Sequence, residues 1–253
     1  MSHHKIEVRD LVYSYPDGHK AVNNMNFCIR HGESVGIVGA NGAGKSTLLM
    51  LLMGVLFPDG GEVLVGDVHV TPRTLPMIRQ RLGMVFQDPD DQLFMTTVYD
   101  DVAFGPRNYR LDEKEVDSRV TQALEMVGIA HLKDRAPFKL SGGEKRAAAI
   151  AAVLSMQPDV LIMDEPTSAL DPKSRRRVME LLKGFAHTKI ITSHDLDMVS
   201  EICGRTIVVK AGGIAADGAT AELLSDAGLM DSCGLEVPPS LKSCPVCGAR
   251  KPG

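Results

Sequence analysis

The chain has 253 residues, and its 44% hydrophobic and 24% charged residues are ordinary for a globular protein. A net charge of -4 gives no basic surface for a polyanion, so we expect no nucleic acid partner. No apolar run approaches the roughly 18 residues that cross a bilayer, and no signal-peptide pattern is present. The composition therefore predicts a cytoplasmic protein that reaches a membrane only through a partner. Its five cysteines are expected to be thiols or metal ligands rather than disulfides.

Short apolar runs alternate with helical stretches, which predicts an α/β fold with a mainly parallel sheet. Near the N-terminus, the runs KIEVRDLVYSY and HKAVNNMNFCI flank the turn PDG and predict a small antiparallel element. Four further strand candidates are apolar throughout, as strands buried on both faces are: 33–39, 159–165, 189–193 and 205–213. A helix-forming run, KSTLLMLLMGVL, follows the first of these.

The middle of the chain predicts a helical insertion. From about 92 to 145 the β signals fade, and apolar residues recur at helical spacing at Val116, Val120, Ala123 and Val127. After about residue 225 the periodicity is lost and Pro and Gly become frequent. We therefore expect one domain over 5–225 with a helical subdomain at about 92–145, followed by a C-terminal tail over 226–253.

The segment GANGAGKS fits the phosphate-loop pattern G-x-x-x-x-G-K-[ST] and lies between a predicted strand and a predicted helix. Its glycines let backbone N–H groups wrap phosphates, and the helix N-terminus adds the positive end of its dipole. Lys45 can then reach the β- and γ-phosphates, and the Ser46 hydroxyl can bind Mg²⁺. A glycine turn that merely connects two elements is the alternative, which the complete pattern disfavours. The predicted nucleotide-binding residues here are Gly39, Ala40, Asn41, Gly42, Ala43, Gly44, Lys45, Ser46 and Thr47.

Two acids end the strand candidate DVLIMDE. Because the side chains of adjacent strand residues point to opposite faces of a sheet, we expect Asp164 and Glu165 to have different roles in the site. We assign Asp164 to the Mg²⁺ shell and Glu165 to the attacking water as general base. His194, at another strand end, could contact the γ-phosphate or hold Glu165. Solvated loop acids and a structural histidine are the alternatives.

The segment LSGGEKR has the features of a helix start. Ser141 precedes Glu144 by three residues, the spacing of a capping box, and the helix-forming run AAAIAAVLSM follows. A cap does not need two glycines inside the helix, where each costs about 1 kcal/mol relative to alanine. Capping alone therefore leaves Gly142 and Gly143 unexplained.

Six motifs in order and at matching spacing make the chain resemble the ATP-binding cassette ATPases over about 5–225. They are the phosphate loop, Gln87 in VFQDPDD, LSGGEKR, the DVLIMDE strand, SALDP (168–172) and the switch residue His194. The resemblance implies a P-loop NTPase core of cassette type, with an N-terminal antiparallel β element and an inserted helical subdomain. It implies the cofactors ATP and Mg²⁺.

The resemblance also implies roles for particular residues. It implies that Glu165, His194 and Gln87 are catalytic residues. It implies that Ser46, Gln87 and Asp164 bind Mg²⁺. Adenine stacking falls to Tyr15, with Tyr13 two residues away as the alternative.

In such cassettes the LSGG segment serves a nucleotide bound by another subunit. Two cassettes pack head to tail, so Ser141, Gly142 and Gly143 are expected to close over the γ-phosphate of the partner, with Asp171 at the same seam. Glycines let the backbone N–H groups approach that anion closely. Glu144 stands where Gln is commonest, and we expect it to change ATP affinity only modestly. The chain has one phosphate loop, so a second ATPase subunit is required; a homodimer is expected, and a heterodimer stays open.

The segment FQDPDDQLFMTTVYDDVAFGP (86–106) resembles the ATPase subunit of energy-coupling-factor importers, most closely the cobalt/nickel branch. This implies a transmembrane coupling protein and a metal-binding membrane component as partners, and a peripheral position on the cytoplasmic face of the cell membrane. Leu93, Phe94 and Met95 could form a docking patch, or they could anchor the insertion to the core. The alternatives are a soluble non-transport cassette ATPase, or the ATPase of an importer for a vitamin or another small solute.

Two terminal features suggest metal sites. Cys244 and Cys247 have C-x₂-C spacing, and Cys233 could be a third ligand, although a flexible tail with incidental thiols is favoured. If Met1 is removed, Ser2, His3 and His4 could bind Ni(II) or Cu(II) in a square plane, with a solvated leader as the alternative.

Overall fold

The computed structural model describes residues 5–242. The strands are β1 Ile6–Ser14, β2 Lys20–Ile29, β3 Ser34–Val38, β4 Gly60–Val65, β5 Val68–His69, β6 Leu82–Val85, β7 Val160–Asp164, β8 Thr188–Thr192, β9 Arg205–Lys210 and β10 Gly213–Ala219. The helices are α1 Lys45–Leu52, α2 Leu75–Arg81, α3 Val98–Asn108, α4 Glu113–Met126, α5 Gly142–Leu154, α6 Pro172–Gly184, α7 Leu196–Ile202, α8 Thr220–Leu223 and α9 Ala227–Ser232. These residues form two compact units, 5–78 with 187–242, and 79–186.

The first unit contains the antiparallel element that the sequence predicts. β1 and β2 pair from Ile6 opposite Ile29 onward, and the connecting turn places Gly18 at φ 87, a left-handed conformation that glycine adopts without strain. β4 and β5 extend this sheet to the order β2-β1-β4-β5. The sequence analysis did not predict β4 or β5.

The same unit contains a buried parallel group of strands. β3 pairs in parallel with β8 on one side and with β9 on the other, and β10 is antiparallel to β9. Because parallel strands have a common direction, the segments that follow β3 and β8 leave from the same edge. The helix after β3 is shorter than predicted, since α1 ends at Leu52 and Gly54 turns the chain at φ 62.

The second unit contains the parallel pair β6 and β7 and the helices α3 to α6. α4 buries Val116, Val120 and Ala123, three of the four predicted apolar positions, and the fourth, Val127, is buried at the C-cap of the helix. α3 packs against both α4 and α5. The α/β fold with an antiparallel element and a helical subdomain is therefore confirmed.

The expectation of an aperiodic tail from about residue 225 is wrong for α9. Asp226 caps this helix by accepting a hydrogen bond from the Leu229 N–H, and Met230 is buried. The segment continues past α9, where the Ser240 N–H donates to the Asp197 carboxylate in α7 at 3.0 Å. Within 5–242, no helix is both long and apolar enough to cross a bilayer.

Candidate functional site

The phosphate loop joins β3 to α1 in the first unit, and two of its glycines are required by close backbone contacts. A Cβ atom on Gly39 would lie 2.3 Å from the Val209 carbonyl oxygen, and one on Gly44 would lie 2.1 Å from that of Ala21. Gly44 also has a φ of 100°, a conformation that L side chains rarely adopt. The loop can therefore lie this deep in the fold only with glycine at both positions.

Helix α1 begins without a side-chain cap. Gly44 precedes it at the N-cap position, where no side-chain capping hydrogen bond forms within residues 5–242. The other described helices of eight or more residues are all capped by side chains, those of Thr97, Asp112, Ser141 and Asp171. The N–H groups at the start of α1 and the positive end of its dipole therefore suit an anion.

Lys45 is buried at the start of α1 and extends back over the loop. Its ammonium group donates to the carbonyl oxygens of Gly39 at 2.8 Å and Ala40 at 3.1 Å. The Nε2 atom of His194 lies 3.3 Å from the Lys45 Nζ atom. The structure thus brings His194, two residues past β8, to the phosphate-loop lysine, a contact that the sequence analysis did not predict.

Tyr15 lies just past the end of β1 and is joined to the start of α1. Its hydroxyl forms a hydrogen bond with the Thr47 hydroxyl at 3.0 Å. Its ring is nearly parallel to the His19 ring at a centroid distance of 6.5 Å and nearly perpendicular to the Tyr13 ring at 5.2 Å. Tyr15 and Thr47, both predicted to bind nucleotide, are therefore neighbours.

In the second unit, the predicted acids lie at the carboxyl end of β7 and are both buried. Asp164 is the last residue of the strand, and Glu165 has a φ of 47°. The strand alternation used to separate their roles therefore stops at Asp164, and that argument was wrong. A left-handed backbone turns the chain at Glu165 instead, at a cost of order 1–3 kcal/mol for a residue other than glycine.

Gln87 follows the parallel neighbour β6, and its side chain is exposed. Its backbone is held by Arg146 of helix α5, whose guanidinium donates to the carbonyl oxygens of Phe86, at 2.7 Å, and Gln87. Burial lowers the pKa of the Arg146 guanidinium, which nevertheless stays protonated, as arginine does in proteins. The sequence analysis missed Arg146. Its only signal was an arginine in the run that follows LSGG.

The capping box predicted at LSGGEKR is present. The Ser141 N–H and hydroxyl donate to the Glu144 carboxylate at 2.7 and 2.9 Å, and the Glu144 N–H donates to the Ser141 hydroxyl at 3.4 Å. The hydrogen bond from the Ser141 N–H holds the pKa of Glu144 below its usual value. Glu144 is therefore a charged capping residue at neutral pH. It lies at the N-terminus of α5, where the helix dipole favours a negative charge.

The two glycines of this segment have different surroundings. A Cβ on Gly142 would meet nothing within 4 Å, whereas one on Gly143 would lie 2.2 Å from the Ser174 Oγ atom of α6. Asp171 caps α6 by accepting from the N–H groups of Lys173 and Ser174, and the Ser174 hydroxyl also donates to it, which lowers its pKa. Gly143 is therefore required for packing inside its own chain, a reason that the sequence analysis did not give.

Of the three cysteines in the proposed tail metal site, one falls within residues 5–242. Cys233 is a buried free thiol, while Cys244 and Cys247 lie outside the described residues. Ser2, His3 and His4 lie outside them as well. Within residues 5–242, no group of three or more His, Cys, Asp or Glu side chains could hold a metal ion.

The family follows from comparison with known proteins. A family model described as ABC transporter matches residues 22–168. The chain belongs to this family, and it is an ATP-hydrolysing subunit of the ABC class.

Three similar proteins indicate which ATP-binding subunits of this family the chain resembles. An ABC transporter ATP-binding protein of Geobacter sulfurreducens, whose name gives no solute, is 60% identical over 98% of this chain and 100% of its own length. The energy-coupling factor transporter ATP-binding protein EcfA of Methanothermobacter thermautotrophicus is 44% identical over 92% of this chain and 76% of its own length. The structure of CbiO1 from Clostridium perfringens, part of the ABC transporter complex CbiONQ, has a TM-score of 0.80 and 40% identity, over 90% of this chain and 93% of that one. The resemblance to energy-coupling-factor ATPase subunits is thereby confirmed.

Proposed function

We propose that this chain energises an energy-coupling-factor importer for cobalt or nickel ions, bound peripherally at the cytoplasmic face of the cell membrane. The observation that carries the proposal is the buried Lys45 at the uncapped start of α1, next to His194. This arrangement suits the phosphates of ATP. The relation to CbiO1 and EcfA supports an importer, and the resemblance of residues 86–106 to the cobalt/nickel branch supports the solute.

We assign 5–225 as the ATPase domain, about 92–145 as its helical subdomain and 226–253 as a C-terminal segment. The residues proposed to hold Mg²⁺ carry a hydroxyl, an amide and a carboxylate oxygen, donors that suit a hard cation; they are Ser46, Gln87 and Asp164. When bound, Mg²⁺ neutralises charge on the β- and γ-phosphates. Lys45 binds the same phosphates.

Glu165 is the proposed general base. It takes a proton from the water that attacks the γ-phosphate, while Gln87 orients that water and His194 contacts the γ-phosphate. A second copy of the chain supplies Ser141, Gly142 and Gly143 to the same phosphate. The open space at Gly142 supports this role, since an anion can approach the N–H groups there.

The docking patch proposed for the membrane partner differs in its residues from the patch that the sequence analysis expected. Leu93 is 7% exposed and anchors its loop to the core, whereas Phe94 is 64% exposed and stacks edge to face with Phe104 at 5.0 Å. Asp101 fixes this loop, because its buried carboxylate accepts from the N–H groups of Phe94 and Met95 at 2.9 and 3.0 Å. Phe94 and Phe104 therefore form the proposed contact with the transmembrane coupling protein.

The test combines co-purification with transport. We expect the parent chain to retain a transmembrane protein from native membranes, and we expect the Phe94→Ser/Phe104→Ser variant to lose it while its own ATP hydrolysis persists. Phe138→Ser is the matched control, because Phe138 is the more exposed aromatic at 78% and is not part of the patch. Reconstituted vesicles should then take up Co²⁺ or Ni²⁺ in an ATP-dependent way.

Other outcomes would favour the alternatives. ATP hydrolysis without any retained membrane protein indicates a soluble non-transport ATPase. Uptake of a vitamin or another organic solute, with neither metal ion carried, assigns the importer to a different solute.

A further inference from the structure

Arg146 is a buried cation whose bonds go to the backbone of another segment. It lies on the second turn of α5, five residues after Ser141. Its two terminal nitrogens donate to consecutive carbonyl oxygens, those of Phe86 and Gln87, and its Nε atom is buried with no hydrogen-bond partner among residues 5–242. A planar guanidinium that holds two neighbouring carbonyls fixes both the position and the direction of the peptide between them.

Two further side chains join the same segment to α5. The Gln92 amide donates to the Ala149 carbonyl oxygen at 2.7 Å and accepts from the Phe86 N–H at 3.4 Å. Lys145 forms an ion pair with Asp90 at 2.6 Å on the surface. Residues 86–92 are therefore attached to α5 at three points, of which Arg146 is the most deeply buried and the nearest to Gln87.

This attachment links two segments to which the proposed function gives roles on different nucleotides. The inference rests on the proposed function, which assigns Gln87 to the Mg²⁺ and water of its own chain's ATP and Ser141 to the ATP of a second copy. We propose that Arg146 is a positioning residue that ties the Gln87 backbone to α5, so that Gln87 and Ser141 move together. The closure of one ATP site then sets the geometry of the other.

Three variants test this role in the full chain: Arg146→Met, Arg146→Lys and Lys145→Met. For Arg146→Met we expect kcat for ATP hydrolysis to fall by roughly 10- to 100-fold, because a misplaced Gln87 no longer orients the water. We expect ATP binding and KM to change by less than about threefold, because Lys45 and its loop belong to the other unit. Cooperativity between the two sites, measured as the Hill coefficient for ATP, should fall as well.

Lys145→Met is the matched control. Lys145 is the next residue on the same helix and bonds to the same segment, but its ion pair is exposed, so its loss should leave hydrolysis near the parent level. Arg146→Lys should recover part of kcat, since lysine can bond to one carbonyl and cannot hold both.

Hydrogen exchange of the chain without nucleotide provides a readout independent of activity. In Arg146→Met, the amides of 86–92 should exchange faster while the rest of 79–186 exchanges as in the parent. An exchange increase spread evenly over 79–186 would overturn the proposal in favour of a purely structural role. So would a kcat within twofold of the Lys145→Met value.

If Arg146→Met does not fold, Arg146→Lys decides the question, and parent-level kcat and cooperativity in that variant would also overturn the proposal. These results are distinct from a failure of the proposed function, in which the parent chain itself would not hydrolyse ATP.

Discussion

At the scale of single residues, the site depends on backbone conformation as much as on side-chain identity. Asp164 and Glu165 are adjacent in sequence and both buried, yet the strand ends between them because Glu165 adopts φ 47°. Contacts with the surrounding structure must offset the strain of that conformation. Residues held in such strained conformations cluster at functional sites. The conformation of Glu165 therefore suits the general-base role proposed for it.

Glu165→Gln should retain ATP binding and lose hydrolysis. The amide keeps the shape of the side chain and cannot accept a proton, so we expect turnover to fall by roughly 10²–10⁴-fold, with ATP affinity changed little. Steady-state hydrolysis and equilibrium binding of labelled ATP measure the two effects. Turnover within twofold of the parent chain would assign the base to another residue.

At the scale of elements, the N-termini of α1 and α5 differ in side-chain capping. α1 begins with Gly44 and no side-chain cap, whereas α5 begins with a capping box in which Glu144 accepts from Ser141. An uncapped start leaves N–H groups for a phosphate, while the capped start keeps α5 stable when no anion is present. In the proposed dimer, the Ser141 hydroxyl must turn from Glu144 toward the partner's phosphate.

Alanine at each of the two glycines of this segment should give different results. Gly143→Ala should lower the free energy of unfolding by about 1–3 kcal/mol, because its Cβ would collide with Ser174. Gly142→Ala should leave that free energy unchanged or raise it slightly, because its Cβ meets open space and alanine favours a helix. We nevertheless expect Gly142→Ala to hydrolyse ATP more slowly, because the added methyl group keeps the partner's phosphate away. Chemical denaturation and ATPase assays separate the two effects.

Ser174→Gly provides the control for the collision. Combined with Gly143→Ala, it should restore stability to the level of Ser174→Gly alone, since the atoms that the Cβ meets are then absent. A Gly143→Ala chain as stable as Gly142→Ala would show that the contact with α6 does not explain this glycine.

At the scale of the whole molecule, the chain has one phosphate loop and one LSGG segment. In the proposed function, the LSGG residues of one chain contact a nucleotide that is bound by a second copy. A complete site therefore needs two chains. A symmetric pair would then form two sites at one interface. In the proposed dimer, ATP binding would favour the closed pair and hydrolysis would reopen it, and this cycle would drive a movement in the proposed membrane partner.

Dilution should therefore lower turnover per chain. Over about two decades of protein concentration around the dissociation constant of the dimer, specific ATPase activity should fall as monomer accumulates. Glu165→Gln with ATP should elute as a dimer, because it binds ATP and does not hydrolyse it. A monomeric chain that hydrolyses ATP at full speed, independent of dilution, would exclude the shared site.

Local sequence determined much of this protein by itself. The phosphate loop, the capping box at Ser141 and the buried strands could be predicted because each depends on residue types at fixed short spacing. The sequence did not reveal that Gly143 makes room for Ser174, that His194 contacts Lys45, or that Arg146 holds Gln87. The sequence-based prediction of an aperiodic tail was also wrong for α9, a helix in which Met230 is buried. These contacts join residues from 31 to 149 positions apart in the chain, so only the tertiary structure, which brings distant segments within a few ångströms, could decide them.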